Sequence, residues 1–143
     1  MTENGSTPAP DACEREIRSL HDFFVGWYTG SLDEGGFDRF EDALASSFEM
    51  VTPDCEVLTR AETVGYVRAE RDTHENFDIE IRNVETIDAH EGRALLRYEE
   101  WQTKGDENET QKDGRLSTAL FGTSDTAPEG VEWLYLHETP LEG

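Results

Sequence analysis

The sequence predicts an α+β domain in which one curved sheet wraps a group of helices. Apolar residues in the first half of the chain recur at spacings of three and four, as on a helix, whereas those in the second half alternate with polar ones, as on a strand. The length of 143 residues is that of one ordinary domain. We therefore expect a single domain over residues 11–143, with helices first and antiparallel strands last.

The first elements follow from turn residues and helical spacing. Residues 1–10 are small and polar and include Pro8 and Pro10, so a disordered tail is expected there. A helical period then runs from Asp11 to about Gly30. Its apolar face carries Ile17, Leu20, Phe24, Trp27 and Tyr28.

The later elements change from a helical period to an alternating one. A second helix is expected from the spacing of Phe37, Phe40, Leu44 and Phe48. Short strands are expected over 48–52 and 55–58, joined by a turn at Pro53, and a third helix over 61–71. Four long strands over 77–90, 93–103, 115–122 and 131–139 complete the order α-α-β-β-α-β-β-β-β.

The charge balance is strongly acidic and excludes two classes of partner. The chain has 33 acidic and 12 basic residues, for a net charge of -21. Nucleic acids and anionic membranes are bound by clustered Lys and Arg, and only Lys104 and Lys112 are lysines. Molar salt would screen the self-repulsion of such a surface. We interpret the composition as that of a halophilic protein, which is expected to lose structure in dilute buffer.

The sequence offers few of the usual catalytic or metal motifs. Cys13 and Cys55 form no CxxC pair and follow no secretory leader, and no apolar run is long enough to cross a bilayer, so a cytoplasmic location is expected. No GxSxG or phosphate-binding glycine motif is present, and no cofactor is expected. The histidines lack metal-ligand spacing, so no metal site is expected; they are His21, His74, His90 and His137.

The element order and three segments resemble the nuclear transport factor 2-like superfamily, which includes ketosteroid isomerase, polyketide cyclases and the calcium/calmodulin kinase association domain. The segments are Phe48–Arg60 (FEMVTPDCEVLTR), Ala94–Trp101 (ALLRYEEW) and Gly130–Thr139 (GVEWLYLHET). The chain departs from the family at Cys55, where glycine is usual, and at Thr139, where a second histidine is frequent. The resemblance implies a cone-shaped sheet with a pocket at its wide end and a homodimer through the outer sheet face.

Alternation along the long strands leaves two possible inner faces. Resemblance to the kinase association domain places Arg97, Ala119 and Glu138 inward. That choice predicts a pocket for a small polar or anionic metabolite, because Arg binds carboxylates and Trp supplies an apolar wall. Its residues would be Arg97, Glu99, Trp101, Arg115, Ser117, Glu138 and, from the first helix, Tyr28. The outer, dimer-forming set would then be Tyr98, Leu116, Thr118, Leu120, Trp133, Tyr135 and His137.

The opposite choice makes Tyr98, Leu116, Leu120 and Trp133 the core and leaves Arg97, Glu99 and Arg115 as a solvated surface. His21 lies seven residues before Tyr28, on the same helical face, and either residue would project into the pocket or fill the core.

Three function classes remain open. The first is a homodimeric domain that binds a small metabolite without catalysis. The second is an isomerase, cyclase or dehydratase that uses Glu99 or Glu138 as a general base. An arginine beside that carboxylate would keep it ionised and weakly basic, which argues against catalysis. The third is a structural assembly module whose interior is filled and holds no ligand.

Overall fold

The computed structural model describes residues 7–105 and 110–141. Its helices are α1 (Pro10–Thr29), a 3₁₀ turn (Glu34–Phe37), α2 (Asp38–Glu41) and α3 (Arg60–Ala69). Its strands are β1 (Leu44–Val51), β2 (Val57–Thr59), β3 (Phe77–His90), β4 (Arg93–Gly105), β5 (Thr110–Thr123) and β6 (Val131–Leu141). The predicted α+β class and the order of its elements are confirmed.

All six strands form one open, mixed sheet in the order β2-β1-β6-β5-β4-β3. The β1–β6 pair is parallel and every other pair is antiparallel. Consecutive long strands pair with each other because short links join them, whereas β6 returns to lie beside β1. The inner face of this sheet covers α1, and the strands that α1 contacts are β3, β4 and β6.

The long helix α1 buries one apolar stripe against the sheet. Cys13, Ile17, Leu20 and Trp27 are all nearly inaccessible to solvent, and Gly30 ends the helix in the left-handed conformation that glycine adopts without strain. The Trp27 indole Nε1 donates to the carbonyl of Val67 at 2.7 Å, which ties α1 to α3.

The helix α3 begins with a reciprocal cap. The Thr59 hydroxyl accepts from the backbone N–H of Glu62, and the Glu62 carboxylate accepts from the backbone N–H of Thr59. This pair satisfies two backbone donors that a helix start would otherwise leave free. The start of α3, and with it the apolar contact of Val67 with the core, is thereby fixed by local sequence.

The second helix is much shorter than its pattern predicts, since α2 ends at Glu41 and β1 already begins at Leu44. Leu44 and Phe48 are buried as expected, but on a strand. A spacing of four residues places two side chains on the same face of a strand as well as of a helix, so that pattern cannot separate the two. Pairing of Leu44 with Trp133 on β6 decides in favour of the strand.

A buried ion pair joins α1, α2 and β6. The Glu16 carboxylate is fully buried and accepts two hydrogen bonds from Arg39, at 2.9 and 3.2 Å. Its Oε2 also accepts from the Trp133 indole at 2.8 Å. Because every oxygen of this carboxylate is bonded, the cluster fixes how the helices meet the last strand.

The described end of the predicted tail packs against the domain. Pro8 is buried, the backbone N–H of Gly92 donates to the Thr7 hydroxyl, and α1 already begins at Pro10. Residues 1–6 of the predicted tail lie outside the described residues. Within residues 7–105 and 110–141, none of the helices combines the length and the apolar character that a bilayer span requires.

Candidate functional site

A cavity of about 640 Å³ lies between the inner face of the sheet and the helices. Most of its wall is apolar, from Leu20 and Phe24 on α1, Phe40 on α2 and Met50 on β1. Polar residues cluster on one wall, where His21 of α1 faces the inner side of β4, β5 and β6. They are His21, Glu100, Gln102, Arg115 and Glu138.

His21 and Glu100 form a buried pair at this wall. The His21 Nε2 lies 3.0 Å from Glu100 Oε1, and the His21 Nδ1 lies 2.6 Å from the carbonyl oxygen of Ile17. A carbonyl and a carboxylate both accept, so the ring is satisfied when both nitrogens carry protons. The second oxygen of Glu100 accepts from the Gln102 amide at 2.7 Å. The geometry therefore fits an imidazolium paired with a carboxylate.

The electrostatics of the pair agree with this protonation state. Burial would lower the pKa of His21, but the Glu100 charge and its hydrogen bond outweigh burial and raise that pKa. Burial would likewise raise the pKa of Glu100, yet His21, Arg115 and the Gln102 amide hold it well below its usual range. Each partner favours the charged form of the other.

Arg115 and Glu138 form a second pair beside the first. Arg115 Nη1 donates to Glu138 Oε1 at 3.1 Å, and Nη2 reaches Asp113 Oδ2 at 3.3 Å. The Glu138 side chain is 7% exposed, and its Oε2 has no hydrogen-bond partner in the described part of the chain. One carboxylate oxygen of the cavity wall thus remains a free hydrogen-bond acceptor within the described part of the chain.

Glu138 is the carboxyl group whose environment suits proton transfer. Burial and the nearby Glu100 charge raise its pKa to about 7, against the lowering effect of Arg115. The charge of Arg115 and its hydrogen bond to Oε1 lower this pKa by less than burial and Glu100 raise it. A group with a pKa near 7 both accepts and releases protons at neutral pH.

Three hydroxyl groups lie on or behind this wall. Tyr28 lines the cavity, and burial together with Glu100 raises the pKa of its hydroxyl. Tyr98 and Ser117 face each other across β4 and β5 and are fully buried. Neither Tyr98 Oη nor Ser117 Oγ makes a hydrogen bond of ordinary geometry with the described residues. Burial raises the pKa of Tyr98, and the neighbouring Ser117 hydroxyl partly offsets this rise.

The opening of the cavity is acidic. Its exposed rim carries Asp54, Glu56 and Asp113, together with Tyr66, which is 62% exposed. Asp54 and Glu56 come from the turn between β1 and β2, and Asp113 comes from the start of β5. The exposed rim of the cavity is therefore negatively charged.

The structure brings together only some of the predicted site residues. Arg115, Glu138 and Tyr28 line the cavity as expected. Ser117 lies on the inner sheet face beside Glu138, but it does not line the cavity.

The placement predicted for Arg97, Glu99 and Trp101 is wrong, because all three lie on the outer face of β4. There Arg97 pairs with Glu85 at 2.6 Å, and Glu99 accepts from Trp101 at 2.9 Å and from Asn83 at 2.8 Å. Glu99 is consequently no candidate base for chemistry in the cavity.

The physical reason is the register between β4 and β5. Tyr98 pairs with Ser117 and Glu100 with Arg115, so even-numbered residues of β4 share the inner face with odd-numbered residues of β5. The outer set needs the same correction, since Tyr98 and Trp133 are buried inside. The other members of the predicted outer set do lie outside, namely Leu116, Thr118, Leu120, Tyr135 and His137.

Two pocket residues, Glu100 and Gln102, were not predicted. The sequence carried a signal for them, because Ala94, Leu96 and Tyr98 form an apolar alternation whose phase continues through these positions. On β6, Trp133 and Glu138 both face inward, although strict alternation would place an odd- and an even-numbered residue on opposite faces. An irregularity in the β5–β6 pairing beside Leu120 shifts the alternation, and the sequence carries no comparable signal for it.

Among the described residues, no group of three or more His, Cys, Asp or Glu side chains is arranged to hold a metal ion.

The chain was compared with known proteins. No protein-family model matches it, and no curated protein matches it significantly. Among solved structures it is similar to an NTF-2 (nuclear transport factor 2)-like protein of unknown function from Pseudomonas aeruginosa. The two are 27% identical over 92% of this chain and 99% of the other, with a TM-score of 0.82.

More distant structures have the same fold. An uncharacterised protein with a cystatin-like fold from Caulobacter vibrioides is 17% identical over 92% of this chain and 89% of the other, with a TM-score of 0.66. A putative calcium/calmodulin-dependent protein kinase type II association domain from Thiobacillus denitrificans is 17% identical over 94% and 97%, also with a TM-score of 0.66. These likenesses show the fold and assign no activity.

Proposed function

We propose that this chain, whose fold is that of the nuclear transport factor 2-like proteins, binds a small molecule with an apolar body and one polar end in its cavity. The observation that carries the proposal is a cavity of about 640 Å³ with apolar walls and one buried polar cluster. Ligand pockets of proteins have volumes of roughly 300–1,000 Å³ and this kind of lining. An unfilled interior weighs against a purely structural module.

The buried ion pairs support the same proposal. His21, Glu100, Arg115 and Glu138 are costly to desolvate, and a core made only for stability would be at least as stable with apolar residues there. Their position on the cavity wall gives them a use, since the Oε2 of Glu138 is left to bind a polar group of the ligand while the apolar walls hold the rest.

A test of binding is a fragment screen by ligand-observed NMR. Met50→Trp would fill the cavity from β1, whereas Ile87→Trp would add the same ring at an exposed site of β3. Fragments that bind the wild type and Ile87→Trp but not Met50→Trp would support the cavity as the binding site. A screen without hits, or hits unaffected by Met50→Trp, would contradict it.

A second candidate function is an enzyme that moves a proton next to a carbonyl group. The observation in its favour is Glu138, whose pKa of about 7 suits a general base, with Arg115 beside it to stabilise negative charge on oxygen. Glu138 would take a proton from the carbon next to the carbonyl group and return it either to that carbon or to another carbon of the same molecule.

Proton abstraction can be followed as exchange of the α-hydrogens of cyclohexanone in D₂O by ¹H NMR. Glu138→Gln should abolish catalysed exchange, whereas Glu132→Gln, an outward residue of the same strand, should leave it unchanged. If the wild type exchanges these hydrogens no faster than buffer does, the proposed enzymatic activity is contradicted and the binding function stands alone.

We further propose that the chain forms a homodimer through the outer sheet face. Leu95, Leu120 and Tyr135 lie in one row across β4, β5 and β6 and are all half-buried in the single chain. Leu116 and Leu134 extend this apolar surface, which a partner sheet would cover.

A further inference from the structure

The hydrogen-bonding capacity of the polar wall is largely used within the protein. Both ring nitrogens of His21 and both oxygens of Glu100 are already bonded. Arg115 Nε is buried and has no partner among the described residues, but two carboxylates, Glu138 and Asp113, already balance the charge of this guanidinium. The strong acceptor that remains on the wall is Glu138 Oε2, which has no partner in the described residues. An acceptor of this kind calls for a ligand that donates.

The charges around the cavity point the same way. The described lining carries five carboxylates, Asp54, Glu56, Glu100, Asp113 and Glu138, against only two cationic groups, His21 and Arg115. Arg97, the other arginine expected there, lies on the opposite sheet face. An anionic ligand would meet no unbalanced cation, and it would have to pass the acidic opening.

Aromatic rings complete the lining. Tyr66 stands at the opening, and Phe24, Tyr28 and Phe40 follow along the interior wall. The faces of such rings attract cations and exclude water from an apolar ligand body. A cationic group would therefore meet favourable contacts along its path as well as at Glu138.

We propose that the ligand of this cavity is a small amine in its protonated form, whose ammonium group binds Glu138 and whose apolar body fills the space between α1 and β1. This deepens the proposed function and rests on it, since it names the class of ligand that the same cavity takes. It also replaces the small polar or anionic metabolite expected from the sequence, because that expectation depended on two guanidinium groups, and of these Arg97 lies on the outer face while Arg115 is paired with carboxylates.

Three matched probes test the proposal: phenethylamine, phenethyl alcohol and phenylacetate. Binding is measured by NMR titration of the isotope-labelled protein near pH 8 in about 1 M KCl, where the Debye length is only about 3 Å and the overall negative charge is screened. The amine should bind at least about tenfold more tightly than the carboxylate. Glu138→Gln should bring that ratio close to one, and Glu132→Gln should leave it unchanged.

Each outcome decides a different point. Equal or tighter binding of phenylacetate to the wild type would overturn the amine proposal and leave the binding function intact. Failure of all three probes would overturn the binding function itself. If Glu138→Gln does not fold, the wild type measured near pH 5.5 supplies the same test, because protonation of Glu138 should remove most of the preference for the amine. A preference unchanged at that pH would contradict the role of Glu138.

Discussion

His21 and Glu100 join the first helix to the fourth strand through a contact of 3.0 Å between His21 Nε2 and Glu100 Oε1, in a part of the interior that solvent scarcely reaches. The other ring nitrogen lies against the Ile17 carbonyl, so the ring has acceptors on both sides. A buried charge pair of this kind is stable only while both partners are present.

Replacement of His21 by Ala should therefore destabilise the fold strongly. It would leave the Glu100 carboxylate buried without its partner, which costs about 3–5 kcal/mol. Urea unfolding near pH 6 measures the effect. His90→Ala is the matched control, because His90 pairs with Asp88 at the surface, where both side chains are more than 60% exposed, and such pairs contribute about 0–1 kcal/mol. Equal effects of the two substitutions would contradict a special role for the buried pair.

The contribution of His21 should also depend on pH in a defined direction. Its pKa is raised in the folded state, so its stabilising effect is complete below the unfolded value of about 6.5 and is lost as the pH rises through the folded value. The pKa of Glu100 is lowered, so its contribution is lost as the pH falls below about 4. The difference between wild type and His21→Ala should be largest between about pH 5 and 6.5. A difference that grows above that range would contradict this assignment.

The contrast between these residues and Arg97 shows what the sequence could predict. Four long strands, the helix α1 and the α+β class followed from periodicity, because burial imposes a period on every element that packs against a core. The cone-shaped arrangement of the sheet was implied by the family resemblance. The inner face of β4 did not follow, since charged residues occupy both faces: Arg97 and Glu99 outside, Glu100 inside. The register that separates them depends on how β4 meets β5, a tertiary relationship that alternation within one strand does not contain.

Glu138 should titrate close to neutrality. Burial and Glu100 raise its pKa to about 7, above every ordinary carboxyl group. A carbon-detected NMR titration of the Glu side chains should show a signal near neutrality that is absent from Glu138→Gln and retained in Glu132→Gln. An ionised Glu138 opposes folding, so Glu138→Gln should also flatten the loss of stability expected as the pH rises from about 4.5 to 7. Carboxyl signals that all titrate below about 5 would contradict the assignment.

Two glycines should respond oppositely to alanine. A Cβ at Gly114 would overlap the ring of Trp101, which lies over it on the outer sheet face, so Gly114→Ala should destabilise by about 1–3 kcal/mol. Gly65 lies inside α3 with nothing within 4 Å of the added atom, so Gly65→Ala should stabilise by about 0.5–1 kcal/mol. Thermal unfolding compares the pair. A neutral Gly114→Ala would mean that Trp101 moves aside freely.

The proposed dimer depends on the outer row of Leu95, Leu120 and Tyr135. Leu120→Glu should yield a monomer by light scattering coupled to size-exclusion chromatography, because it places a charge in the middle of that apolar surface. Val57→Glu is the control, since Val57 is 64% exposed on β2, which lies at the sheet edge and is separated from β6 by β1. A wild-type chain that elutes as a monomer would contradict the proposal.

Salt should decide how stable the whole domain is. The net charge of -21 is carried by 143 residues, and like charges separated by more than a Debye length are screened, a length that falls from about 10 Å at 0.1 M to about 3 Å at 1 M. Circular dichroism should therefore show loss of structure on dialysis into dilute buffer and recovery in about 1 M KCl. Sucrose at matched osmolality is the control, because it favours compact states without screening charge. Recovery in KCl but not in sucrose would identify charge repulsion as the cause, whereas an unchanged spectrum in dilute buffer would contradict the halophilic interpretation.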